Sequence, residues 1–392
     1  MSETYSPKFS LALGTGVEIA VDKRIIFEPC INICKHVGSE NIPFLSRISS
    51  HPDTHIPAGD IKFSIDSILG SVRHIREVIT RCGLEKFFGH DANNAEAVLR
   101  GKLLTAGLEL DSGKIETAAA DLHGIGDLWD RYSVAVEDIL LRGLSPKEIL
   151  EEQQKDTLDL KRMKGAFNYL LSEERDHLEK RDAYRGLEKK NITVDLDVDK
   201  IEKDLNGREI NAPTGFVTNF NLNETRNDFS DRIYAKNVTF RARVDGDFFE
   251  TEIVDDGKGM YPEHLDENHP ENIKMREEYK QSGSGRCTYY IFSEGASGDA
   301  GDSKKSSGIG LSNFDKRLVS IPSAELRVVT RRRRVDDETA EVTYVETEFI
   351  LKNGEIHTST SECANLEDKK FSEITSKTGT IFTLRLPLQD KK

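Results

Sequence analysis

Residues Phe249-Glu-Thr-Glu-Ile-Val-Asp255-Asp256-Gly257-Lys258-Gly259-Met260 decide how the C-terminal half of this chain is read. Apolar and polar residues alternate up to Asp255, which predicts a strand, and Asp-x-Gly-x-Gly follows without a break. A carboxylate at a strand end can accept a hydrogen bond from an exocyclic amine such as that of adenine. Two nearby glycines let backbone and ligand approach closely. Alone, the same residues would serve as an ordinary turn between strands, so the neighbouring elements carry the weight.

Three further elements stand in order around it. Upstream, Phe220-Asn-Leu-Asn-Glu-Thr-Arg-Asn-Asp-Phe-Ser-Asp231 predicts a helix with Asn223 and Asn227 on one face. Downstream, Ser306-Ser-Gly308-Ile-Gly310-Leu311-Ser-Asn313 opens an amphipathic helix through Phe314, Leu318 and Val319. The free N–H groups at such a helix start suit phosphate oxygens. Thr378-Gly379-Thr380-Ile-Phe-Thr-Leu-Arg-Leu-Pro-Leu388 reads as a closing strand. A side-chain amide oxygen such as that of Asn227 is a hard ligand for Mg2+ bridging phosphates.

In order and spacing these four elements resemble the N, G1, G2 and G3 elements of sensor histidine kinases and their GHKL ATPase relatives, over residues 192–388. The resemblance implies an α/β sandwich that binds ATP and Mg2+. In it Asn227 would ligate the metal, Asp255 would take the adenine amine, and Gly257 and Gly259 would shape that pocket. Gly308 and Gly310, with Leu311, would hold phosphate. Thr380 would fix water beside adenine, and Pro262 to Lys305 would form a lid.

The chain departs from the family in three places. Asn227-Asp228 stands where Asn-Ala is usual, and a charged stretch from Arg331 to Lys377, with a strand over Val342 to Lys352, precedes the closing strand. No His-Glu-x-x-(Thr/Asn)-Pro phosphoacceptor motif is present. A kinase of this type needs a solvent-facing histidine on a helix. His123, His74 and His177 are the candidates, with His123 first because it follows Leu122 on the expected hairpin.

The hairpin is read from periodicity. Ile115, Ala118, Leu122, Ile125, Trp129, Tyr132, Val136 and Ile139 recur at alternating steps of three and four, a seam for packing against another helix. Gly143 stops it. Ser145-Pro146-Lys147-Glu148 forms a capping box for a second arm reaching about Lys190, antiparallel to the first. Earlier, Ile65, Ile68, Val72, Ile75 and Ile79 predict a helix ending before Gly83, and another covers Ala92 to Ala106. Leu11-Ala-Leu and Val17 to Val21 read as strands.

The fold expected is therefore α+β and multidomain. Residues 1–110 form a mixed N-terminal sensory domain, 111–190 a helical hairpin that pairs subunits, and 191–392 the ATP-binding domain. A homodimer, with a response-regulator receiver as candidate partner, follows from the resemblance. Composition narrows the setting. Of 392 residues, 36% are hydrophobic and 32% charged, and no window supplies a transmembrane span or a signal peptide. A net charge of −14 disfavours nucleic acid, and the Arg331 to Arg334 run reads as a solvated strand end neutralised by Asp336, Asp337 and Glu338. Cys30, Cys34 and His36 could suggest a metal, but reduced thiols in a cytoplasmic protein are the simpler reading of five scattered cysteines.

Two rivals to the kinase stay open. A conformational ATPase of mismatch-repair or chaperone type would use Glu224 as the base that activates water, with Asp228 on the metal. A signalling scaffold would bind nucleotide without turnover.

Overall fold

The computed structural model describes residues 23–51, 56–85, 90–144, 157–174, 191–226, 235–260, 314–335, 339–363 and 377–391, with isolated positions between 265 and 273. The protein is mixed α/β, with one open mixed sheet. It divides into two compact units. One comprises residues 1–148, 159–169 and 214–216, and the other 149–158, 170–213 and 217–392.

The described residues of the first unit are helical: α1 (Lys23–His36), α2 (Ile42–Ser50), α3 (Ala58–Arg81), α4 (His90–Asp111), α5 (Ile115–Asp121), α6 (Ile125–Arg142) and α7 (Leu160–Tyr169). The isoleucine stripe of α3 is buried as its spacing requires, and α3 ends just before Gly83. The expected strands near residues 11 and 17 lie outside the described residues. One hydrophobic core runs from Phe27 through Ile139 to Tyr169, so the expected boundary at 110 falls inside it.

The seam from Ile115 to Ile139 differs from expectation in two ways. It is not one helix, because Gly124 adopts φ +71, a conformation that favours glycine, and turns the chain between α5 and α6. Nor does it await a partner, since Leu122, Ile125, Trp129, Tyr132, Val136 and Ile139 are all buried within the chain. Periodicity reported burial correctly, but it could not say whether the covering helix belonged to the same molecule.

The second arm is also interrupted. Asp159 caps α7, its Oδ1 accepting from the backbone N–H of Lys161 (3.0 Å) and Arg162 (3.1 Å), so a helix starts there; the Ser145 box lies outside the described residues. α6 and α7 do run antiparallel. Arg162 pairs with Glu137 at 3.0 Å, a β-carbon on Gly165 would stand 2.0 Å from Asp130 Oδ2, and Asn168 reaches Asp127. Cys30 and Cys34 are buried, and burial pushes their thiols up to about 11 and about 12. Among the described residues no three metal-ligating side chains cluster.

The second unit is built on the sheet. Its strands are β1 (Asn191–Asp195), β2 (Arg208–Ile210), β3 (Asn237–Asp245), β4 (Phe248–Asp255), β5 (Glu325–Val335), β6 (Val342–Lys352), β7 (Glu355–Cys363) and β8 (Gly379–Asp390). They lie in the order β1-β3-β4-β8-β5-β6-β7, with β2 beside β8. β1 is parallel to β3 and the other pairings are antiparallel. β1 ends at Asp195, and Asp197 caps the helix α8 (Val198–Leu205), its side chain accepting from the Lys200 N–H.

Two more helices complete the unit: α9 (Thr214–Arg226), which belongs to it from Val217 on, and α10 (Phe314–Val319). Phe220 of α9 meets Phe314 of α10 and Phe382 of β8, so these helices cover one face of the sheet. The other face carries charge pairs, among them Arg243 with Glu250, Arg327 with Glu348, and Arg331 with Glu346. The inserted stretch after Arg331 thus widens the sheet. Arg331 is buried and paired with Glu346, where a solvated strand end was expected.

The buried seam generates a test. Leu122→Ala should lower the unfolding free energy by about 2–5 kcal/mol, the cost of a large-to-small core change. Urea denaturation would measure it, with sedimenting mass unchanged. A drop in mass at unaltered stability would show instead that the seam lies between molecules.

Candidate functional site

The site grows from the end of β4. Asp255 lies opposite Thr380 of β8, which lies opposite Thr330 of β5. Opposed residues point to one side of a sheet, so the three form a row across three strands. All three are buried. The hydroxyls of Thr330 and Thr380 are 3.3 Å apart, and Thr330 Oγ1 donates to the Gly379 carbonyl at 3.2 Å.

The glycine turn after Asp255 is held from both sides. Asp255 Oδ1 accepts from the Gly257 N–H at 2.8 Å, and Thr330 Oγ1 accepts from the Met260 N–H at 2.7 Å. Arg332 donates to the Gly259 carbonyl at 2.9 Å. Gly259 has φ +75, and a β-carbon there would stand 2.3 Å from the Arg331 carbonyl oxygen. Asp256 does separate work: its carboxylate accepts from the backbone N–H of Lys236 and Asn237, tying the turn to the start of β3.

Opposite the row lies α9. Thr251, on the same face of β4 as Asp255, donates to Asn221 Oδ1 at 2.9 Å, and Asn221 donates back along its helix to the Val217 carbonyl. One turn further on is Glu224, 2% exposed, with an Oε2 that has no hydrogen-bond partner among the described residues. Burial first, and the neighbouring Asp255 second, push its carboxyl up to about 8. Two carboxyl groups therefore share one buried site. The sequence places Glu224 in the register of a water-activating base, while its proximity to Asp255 arises only from the packing of α9 on the sheet. The nearest sequence signal was a polar residue on the inner face of a helix.

Among the expected site residues, the structure brings Asp255, Gly257, Gly259, Thr380 and Glu224 together. Asn227, Gly308, Gly310, Leu311, Asp228 and nearly all of the expected lid lie outside the described residues. In the helical unit, His123 sits in the exposed turn between α5 and α6, where Lys102 donates to its carbonyl at 2.9 Å. It was expected mid-helix, and Gly124 is the reason it is not. His74 is exposed on α3, beside buried Ile75. His177 lies outside the described residues.

A scan of protein-family models finds none that matches this chain, and a search of curated proteins finds none similar to it.

The buried Glu224 makes a pH prediction. Its folded pKa lies above the usual 4.5, so the native state keeps a proton that the unfolded chain releases. Its contribution is most favourable below 4.5 and is lost as pH rises to about 8. Glu224→Gln cannot ionise, so its thermal midpoint should exceed that of wild type at a pH of about 9, with the gap closing in mild acid. A gap independent of pH would contradict the buried carboxyl.

Proposed function

We propose that residues 191–392 form a histidine-kinase-like α/β sandwich that binds Mg-ATP, and that the protein is a cytoplasmic signalling kinase passing the γ-phosphoryl group to a histidine. The observation that carries the reading is Asp255, a buried carboxylate at a strand end. It is set in a row with Thr380 and beside a glycine turn too closely packed for a side chain. A buried acceptor in that position matches the exocyclic amine of adenine, and the unpartnered Glu224 Oε2 marks a polar pocket that a base edge would complete.

In this reading Asp255 accepts from the amine, and Gly257 and Gly259 keep the turn close enough for a ligand to lie against backbone. Thr380 orients water beside the base. Asn227 holds Mg2+, which supplies charge neutralisation for the phosphates when bound. Gly308, Gly310 and Leu311 form the phosphate end. The chain's own contribution is positioning and electrostatics.

Glu224 weighs between the enzymatic readings. A conformational ATPase would use it as the base at the attacking water, and a carboxyl raised towards neutral pH by burial also fits that task, so labelled ATP decides between the two readings. Helix-borne exposure favours His74 over His123 as phosphoacceptor. A homodimer, if formed, would use a surface other than the buried seam. Leu104 and Leu108, one turn apart on α4, are exposed apolar residues of that unit. A response-regulator receiver would be the downstream partner.

Calorimetry tests binding. Asp255→Asn should weaken Mg-ATP about tenfold or more, because the amide can present a donor where an acceptor is needed. Equal affinity in mutant and wild type would remove the site assignment. Chemistry is tested by incubating the protein with γ-labelled ATP. Acid-labile phosphate should appear and vanish in Asn227→Ala and in His74→Gln or His123→Gln, whichever carries the acceptor. Steady hydrolysis without phosphohistidine, abolished by Glu224→Ala, would replace the kinase with the conformational ATPase.

A further inference from the structure

Glu224 is a costly residue where it stands. An uncharged side chain at this point of α9 would fill the space without desolvating a carboxyl, and a buried polar atom left unpaired costs about 1–3 kcal/mol. Its Oε2 has no partner among the described residues, and the carboxyl lies beside Asp255 on the helix-covered face of the sheet. We propose that Glu224 is a second base-reading group, donating its carboxyl O–H to ring nitrogen N1 of adenine beside the amine that Asp255 accepts. The inference rests on the Mg-ATP reading above and extends it to how the base is chosen.

The chemistry is complementary on both atoms. Adenine presents a donor, its amine, next to an acceptor, N1. Guanine presents an acceptor, O6, next to a donor, N1–H. A carboxylate beside a protonated carboxyl offers acceptor then donor, which fits adenine and opposes guanine at each position. Sites built to hydrogen-bond a particular edge reject the reversed pattern strongly, since both buried groups are left unpaired. The charged group that acts on Glu224 is Asp255, and together with burial it keeps the proton on Glu224 up to about pH 8. The proton kept by Glu224 gives it the donor's role beside the acceptor Asp255.

The test is calorimetric, on the full chain, with the magnesium complexes of ATP, GTP and 1-deaza-ATP, which lacks the N1 acceptor. Wild type should bind ATP about tenfold more tightly than 1-deaza-ATP and should discriminate against GTP more strongly still. Glu224→Ala should bind ATP and 1-deaza-ATP equally. Glu224→Gln, whose amide N–H is also a donor, should keep the preference for ATP. It should also lack the fall in ATP affinity that wild type shows above about pH 8. The wild-type ratio needs no variant, so the test survives if Glu224→Ala fails to fold. Wild type binding ATP and 1-deaza-ATP alike, or Glu224→Ala binding ATP as well as or better than wild type, would overturn the inference and leave the ATP site standing. Wild type binding no nucleotide would overturn both.

Discussion

The backbone at the end of β4 is held closer to its neighbours than any side chain would allow. A β-carbon on Gly379 would stand 2.0 Å from the Asp255 carbonyl oxygen, and one on Gly259 would stand 2.3 Å from that of Arg331. These two approaches clamp the turn after Asp255 between β8 and β5. The register of the central strands follows, and with it the row Asp255–Thr380–Thr330. The hydroxyl of Thr330 serves both sides of the clamp, accepting from Met260 and donating to Gly379. The geometry of the candidate site is therefore a consequence of backbone contact and not of side-chain choice alone.

Within that clamp the fold tolerates a cost. Asp255 and Glu224 are both about as buried as core leucines, and burial disfavours the charged form of Glu224. The strain resolves by keeping a proton on Glu224. A polar group held in this way against the preference of a core is a candidate functional position. Apolar contacts elsewhere on the face, among Phe220, Phe314 and Phe382, supply the stability against which the carboxyl pair is maintained.

Much of this unit was legible in the sequence because its signals are local. Alternation marked β4 and the closing strand, and Val342 to Lys352 appeared as a strand with the bounds the structure has. The long-range consequences were not legible. Arg331 reads as one of four exposed arginines until Glu346 is brought opposite it by the β5–β6 register. Glu224 reads as the candidate water-activating base of the rival ATPase, and its place near Asp255 appears only once the helix lies against the sheet. In the helical unit, the seam spacing announced burial, while the break at Gly124 depended on a single residue's backbone conformation inside an otherwise unbroken pattern. Local periodicity carries no information about which chain supplies the partner surface.

In the proposed kinase the two units would have distinct tasks: the helical one would present an acceptor histidine and the sheet-based one would hold nucleotide. Everything in that division depends on the base lying against β4. A crystal structure grown with magnesium and a non-hydrolysable ATP analogue measures this directly. The adenine amine should lie within hydrogen-bond distance of the Asp255 carboxylate, with Gly257 and Gly259 along one side of the base. Nucleotide bound elsewhere on the chain, with the Asp255 pocket filled by protein side chains, would contradict it.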